Sequence, residues 1–143
     1  MDVLNANYRT LTSVTTGAYS TSGVALNAFN GVGDAICQLT NNTGNIGINN
    51  GSGNAVEITT IGMLPAISGS VTVEIQYSQD NSTWTTLYSP GATDWTAMEW
   101  IYYDLQPTET APYWRIQQTA GANMGFYQVV FGTMPMAINM ARM

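Results

Sequence analysis

The sequence contains no histidine and no lysine, and its positive charges are three arginines, Arg9, Arg115 and Arg142. The absence of histidine removes the side chain that most often serves as a general base or a metal ligand. With nine acidic residues the net charge is −6, so the chain lacks the basic patch that nucleic-acid binding requires. We therefore expect no nucleic-acid partner.

Cysteine and charge are scarce as well. The single cysteine, Cys37, permits no internal disulfide, and its setting in Ala35–Leu39 favours a small buried hydrophobe over a reactive thiol. Charged residues make up only 8% of the chain, far below the average of about 25%. The polar part of the surface must therefore come mainly from threonine, asparagine, serine and glutamine. Such a surface associates with other proteins more readily than a densely charged one.

Long apolar runs are missing too. No stretch approaches the 18 or so apolar residues of a membrane span, and MDVLNANYRT lacks the basic start and apolar run of a secretory signal. We therefore expect no membrane partner. For catalysis only paired carboxylates remain, among Asp94, Glu99, Asp104 and Glu109, whose proximity in sequence carries little weight. We expect no enzyme, no catalytic residue, no metal and no cofactor.

What is present is a pattern of short strands. Val71, Val73, Ile75 and Tyr77 alternate with polar residues, which is the period of a half-buried strand. The polar turn at 79–82 then leads into a second strand that ends at Tyr88. This hairpin has an apolar face that needs a second layer to cover it.

Four further strands are predicted, at 54–63, 99–105, 113–119 and 126–131. In the first of them Val56, Ile58, Thr60 and Gly62 alternate with Glu57, Thr59, Ile61 and Met63. The remaining segments are predicted as a helical turn at 23–31, loops at 41–53 and 94–96, a turn at 89–92, and a proline-bounded connection at 106–112 that cannot sit inside a sheet. Six or more strands without a long helix predict an all-β, antiparallel β-sandwich.

Four short motifs then resemble discoidin-like domains, also called coagulation factor 5/8 type C or galactose-binding-like. Ile75–Thr85 resembles the family's hairpin with Ser-x-Asp-Gly-x-x-Trp, and Ala28–Gly31 resembles its Ala-Phe-Asp-Gly. Ala111–Ile116 resembles its Ala-Arg-Tyr-x-Arg-Ile, and Tyr127–Gly132 resembles its closing Glu-Ile-x-Phe strand. The resemblance covers about 24–132 and implies a jelly roll that binds through loops at one end. The predicted organisation is an N-terminal arm with a possible first strand at 1–23, the sandwich at 24–132, and a methionine-rich arm at 133–143.

The resemblance also bears on calcium. Many members of that family hold the ion with an Asp and a Glu, where this chain carries Asn30 and Gln128. Both side chains keep an oxygen but lack the charge that hard cations need. We expect calcium binding to be weak or absent, with Asp34 as the nearby carboxylate that would compensate.

The four tryptophans are the candidate sugar contacts, since aromatic faces pack against sugar C–H surfaces. Strand position favours a core role for Trp84, Trp100 and Trp114, whereas Trp95 follows a Pro-Gly turn and is predicted to be an exposed contact. Arg115 is expected to pair with Glu99 or Asp104 across the sheet rather than bind a ligand.

Two functions are compatible with this inventory. The chain also resembles, in general character, discoidin-like domains of tailed-bacteriophage virion proteins. The leading hypothesis is therefore a non-enzymatic virion protein that decorates a capsid or tail in many copies and contacts other virion proteins as a homo-oligomer. Its expected location is the virion, after synthesis in the host cytoplasm. The alternative is a carbohydrate-binding module for host-surface glycans, with Trp95 and polar loop groups near Asn30 as contacts.

Overall fold

The computed structural model describes residues 14–16 and 36–132. All the regular secondary structure in these residues is β-strand, as the alternating pattern predicted. The nine strands are β1 (Val14–Thr16), β2 (Cys37–Gln38), β3 (Asn45–Asn49), β4 (Val56–Pro65), β5 (Gly69–Ser78), β6 (Thr85–Trp95), β7 (Ile101–Ala111), β8 (Tyr113–Gly121) and β9 (Gly125–Gly132).

The strands form two antiparallel sheets that enclose one core. The five-stranded sheet has the order β1-β3-β8-β5-β6, and the four-stranded sheet has the order β2-β9-β4-β7. The inward side chains of both sheets are almost entirely apolar and make one cluster, which includes Ile46, Ile61, Ile75, Trp114, Ile116, Phe126 and Phe131. The predicted β-sandwich is therefore confirmed. Within the described residues, no helix is long and apolar enough to span a membrane.

The central hairpin forms as predicted, and its turn is stabilised by a carboxylate. Asp80 Oδ1 accepts hydrogen bonds from the backbone N–H groups of Thr83, at 2.7 Å, and Ser82, at 2.9 Å. These bonds and a third from the Ser78 hydroxyl favour the ionised form, so the pKa of Asp80 lies below its usual value. Asn81 adopts the left-handed conformation that such a turn requires, with φ of 60°.

One strand was missed by the prediction of a loop at 41–53. Ile46 and Ile48 of β3 are buried and alternate with Asn45, Gly47 and Asn49, so the segment has a strand period that is only five residues long. Gly47 permits the close pairing with β8, because a Cβ at this position would lie 2.0 Å from the Trp114 carbonyl oxygen.

The proline-containing segments were also misread. The predicted turn at 89–92 and the predicted loop at 94–96 fall largely in β6, and the predicted connection at 106–112 falls largely in β7. Among the described residues both strands lie at sheet edges, where one side has no partner strand and a missing N–H is tolerated. The pairing register shifts beside Pro90 and beside Pro107, so neither proline interrupts a regular ladder.

A register shift also alters the inward row of β4. The shift lies between Ile58 and Thr60. Ile58 is buried in the core before it, and Ile61 and Met63 are buried in the core after it. The predicted alternation over 54–63 therefore holds only up to this shift, since the inward row continues from Ile61 at the other parity.

The loops of the sandwich cluster at two ends. We call the end formed by loops 39–44, 66–68, 96–100 and 122–124 the upper end, and the end formed by loops 50–55 and 79–84 the lower end. Residues 23–31 and 133–143, including the expected helical turn and arm, lie outside the described residues. The boundaries expected at 24 and 132 stay predictions.

Candidate functional site

Three of the four tryptophan predictions are wrong. Trp114 is fully buried in the core, as predicted. Trp95, predicted to be exposed, is only 2% exposed, and its ring lies 5.5 Å from that of Phe126. Trp100, predicted to be buried, is 40% exposed, and Trp84 is half-buried outside the core. Trp95 therefore presents no ring face to solvent.

The positions at which β6 ends and β7 begins explain why Trp95 is buried and Trp100 is exposed. Because β6 continues to Trp95, this residue takes an inward position at the end of a strand instead of a place in a loop. In β7 the inward row is Ile101, Tyr103 and Leu105, which puts Trp100 and Tyr102 on the outer side. The sequence did contain a signal for this orientation: the charged Asp104 is separated from both aromatic residues by an even number of positions, so all three face the same side of the strand.

Trp100, which is exposed, and Tyr102, which is half-buried, form a pair at the upper end of the sandwich. The rings of Trp100 and Tyr102 are stacked, with centroids 5.7 Å apart and planes 13° apart. The cross-strand neighbour of Tyr102 is Gly62, which has no side chain to crowd the ring. Met98 lies in the same loop and is 59% exposed. We call Met98, Trp100 and Tyr102 the aromatic platform.

The loop that carries the platform is held by its neighbours. The Met98 N–H donates to the Pro65 carbonyl at 2.9 Å, and the Ala97 N–H donates to the Ser68 hydroxyl at 3.0 Å. Met98 has a φ of 69°, a conformation that costs a residue with a Cβ roughly 1 kcal/mol or more. These bonds therefore hold the backbone of the loop in place before any partner arrives.

Carboxylates flank the platform on both sides along the chain. Glu99 directly precedes Trp100 and is exposed. Asp104 follows Tyr102 at the next outward position of β7, and its Oδ1 accepts a hydrogen bond of 3.4 Å from the Thr60 hydroxyl. Because Asp104 shares the outward row of β7 with Tyr102, a ligand on the platform would meet its carboxylate beside an apolar surface, with the exposed Glu99 in the adjoining loop.

Arg115 lies on the other sheet, so its predicted pairing with Glu99 or Asp104 is wrong. Its Nε donates to Gln76 Oε1 at 2.8 Å, and its guanidinium carbon lies 4.0 Å from the centre of the Trp84 ring. Gln76 is oriented in turn by donating to Glu74 and to Thr86. Burial lowers the pKa of Arg115 from its usual value. This network stabilises the outer surface of the five-stranded sheet.

The metal position implied by the discoidin resemblance is only partly described. Asn30 and Asp34 lie outside the described residues, whereas Gln128 lies on β9 and is 9% exposed. Gln128 brings an uncharged amide, and no three His, Cys, Asp or Glu side chains come together in residues 36–132. The described part of this position does not fit a calcium site.

Comparison with known proteins gives matches in structure alone. No family model and no curated protein sequence matches the chain. The family 32 carbohydrate-binding module of AlyQ, in complex with 4,5-unsaturated mannuronic acid, has a TM-score of 0.71 at 17% identity over 85% of this chain and 94% of the module. A pectin-binding module has a TM-score of 0.71 at 15% identity over 87% and 94%.

A third similar structure is a chitosan-binding module in complex with chitotriose, from a chitosanase/glucanase of Paenibacillus sp. IK-5. It has a TM-score of 0.67 at 17% identity over 85% of this chain and 95% of the module. The prediction of a virion structural protein is wrong, because the structural neighbours are carbohydrate-binding modules and none links the chain to a phage particle. The chain has the discoidin-like jelly-roll fold of these modules.

Proposed function

We propose that the chain is a carbohydrate-binding module that holds a sugar ring against the aromatic platform. The observation that supports this proposal is that Trp100 is exposed and stacks on Tyr102. The loop that precedes Trp100 is hydrogen-bonded to β4 and to the loop that follows β4. An aromatic ring fixed in this way offers a flat apolar surface to the C–H face of a sugar, with little ordering of the protein on binding.

The fold supports this proposal. The three neighbours described above carry ligands or names that refer to saccharides, and each aligns over most of its own length. Sites for small ligands combine an apolar surface with a few polar groups that fix orientation. Glu99 and Asp104 supply such groups beside the platform, and the buried Thr60 hydroxyl donates to the Asp104 carboxylate.

The proposed activity is binding without cleavage. The sequence has no histidine to serve as a general base. Glycoside hydrolysis instead uses two carboxyls about 5 to 9.5 Å apart on either side of the scissile bond. Glu99 and Asp104 are both exposed, in surroundings that do not bury either carboxyl. A reducing-end assay on a panel of polysaccharides is therefore expected to detect no product.

The experiment compares Trp100→Ala with the wild type in calorimetric titrations of soluble oligosaccharides. Loss of the stacking surface is expected to weaken binding about tenfold or more, since each 1.4 kcal/mol changes Kd tenfold. Trp100→Phe, which keeps a ring, is expected to retain part of the affinity, and Gln79→Ala at the lower end serves as the control. Wild-type affinity in Trp100→Ala would overturn the placement of the site.

A further inference from the structure

The surroundings of the aromatic platform are negatively charged. Glu99 and Asp104 are exposed and lie on either side of Trp100 and Tyr102 along the chain. Among residues 36–132, the four-stranded sheet and its loops carry no arginine, lysine or histidine. A charged ligand on the platform therefore meets carboxylates without a compensating cation in the described part of the chain.

The positive charge of the described residues is used elsewhere. Arg115 lies on the outer surface of the five-stranded sheet near the lower end, where Gln76 and Trp84 hold its guanidinium group. The other two arginines, Arg9 and Arg142, lie outside the described residues, and the sequence has no lysine and no histidine. Arg115 therefore lies on the opposite side of the sandwich from the platform.

The fold alone does not determine the charge of the ligand. One neighbour is in complex with an unsaturated mannuronic acid, which is anionic, and another with chitotriose, which is an amino sugar. The side chains of this chain have to decide between such ligands. A uronate carboxylate would be repelled by Glu99 and Asp104, whereas a protonated amine would be attracted by both carboxylates.

We propose that the platform selects amino sugars, such as glucosamine units with a protonated amine, over uronic acids. The inference rests on the proposed function, because it concerns the ligand class of the same site. The sugar ring packs on Trp100, and its ammonium group interacts with Glu99 or Asp104. Selectivity arises from the sign of the charge beside a shared stacking surface.

The experiment uses three hexasaccharides of equal length in calorimetric titrations of the full chain: glucosamine, N-acetylglucosamine and galacturonate. The glucosamine hexamer is expected to bind best, the neutral hexamer more weakly, and the galacturonate hexamer least. Affinity for the glucosamine hexamer should fall with added salt, because the Debye screening length decreases from about 10 Å at 0.1 M to about 3 Å at 1 M ionic strength. Equal or tighter binding of galacturonate would overturn the proposal.

Charge variants test the carboxylates themselves. Glu99→Gln and Asp104→Asn are each expected to weaken glucosamine binding by about two- to fivefold, the range of exposed ion pairs, and to weaken binding of the neutral hexamer by a smaller factor. Glu109→Gln removes the same charge at the far end of β7 and is the matched control. An equal loss in Glu109→Gln would show that net charge alone acts, which contradicts a site at the platform.

Two further measurements separate failure of this inference from failure of the proposed function. Hexalysine carries positive charge without sugar rings, so it should bind wild type and Trp100→Ala equally, whereas the glucosamine hexamer should distinguish them. If Trp100→Ala weakens all three saccharides by the same factor and the charge variants change none, the platform binds sugar and the selectivity is wrong. If no saccharide binds the wild type, the proposed function itself is wrong.

Discussion

Burial of Cys37 makes the free energy of unfolding depend on pH in the alkaline range. The side chain lies on β2 opposite Phe126 and is inaccessible to solvent, as the sequence predicted. Burial raises the pKa of its thiol from 9.0 to about 11. Between these values the folded chain keeps a proton that the unfolded chain has lost, so the free energy of unfolding falls as the pH rises from about 9 to about 11.

Urea denaturation across this pH range measures the effect. Tyr103, whose pKa is also raised by burial, contributes to the same decline in the wild type. Cys37→Ala removes only the thiol, so the variant should lose stability less steeply with pH than the wild type does. Parallel curves for the two proteins would show that the thiol does not contribute.

The tryptophans show where prediction of single residues from sequence ends. The burial of Cys37 and Trp114 could be predicted, because apolar neighbours or a clean alternation surround both residues. The positions of Trp95 and Trp100 depend on where β6 ends and where β7 begins, and a turn-like Ser-Pro-Gly sequence hides the first of these limits. The aromatic platform was therefore missed, although the parity of Asp104 indicates which way Trp100 faces.

Among the strands, β8 shows how one polar residue organises a turn. Gln118 lies on the inward row with Trp114 and Ile116 and is 1% exposed. Its Nε2 donates to the carbonyl groups of Ala120 and Ala122, and its Oε1 accepts from the Met124 N–H at 3.0 Å. A buried amide in an otherwise apolar row is thus fully used by the turn that joins β8 to β9.

We expect Gln118→Leu to destabilise the chain by about 2–4 kcal/mol, because three backbone groups of the turn lose their partner at once. Urea denaturation measures the loss, and hydrogen exchange should increase at Met124 first. Thr119→Ala, at an exposed neighbouring position, should change stability by no more than about 0.5 kcal/mol. Equal stability of the two variants would contradict the role assigned to Gln118.

Regular alternation is what made the clearest strands predictable. In β5 and β8 the side chains alternate between core and surface over most of the strand, so the order of apolar and polar residues identifies them. In β4, β6 and β7 the register shifts, and in the last two a proline lies within the strand. Proline is excluded from a central strand but tolerated at an edge, and the sequence does not state which strand will be an edge.

The sandwich as a unit has to protect those edges. In the described part of the chain β6 closes one side of the five-stranded sheet and β7 closes one side of the four-stranded sheet. Edge strands of soluble proteins are usually protected by charge, proline or bulges. With charged residues at only 8% of the sequence, this chain depends more on the prolines and the irregular register of both strands.

Replacing Pro90 is therefore expected to promote self-association. Pro90→Thr restores a backbone donor and a strand-forming residue to β6, so its free edge becomes a better template for a second chain. Sedimentation velocity over a concentration series should show larger species for this variant than for the wild type. Ser89→Thr adds the same side chain in the same bulge but keeps the proline, so it should sediment like the wild type. If Pro90→Thr does so as well, the proline is not what protects this edge.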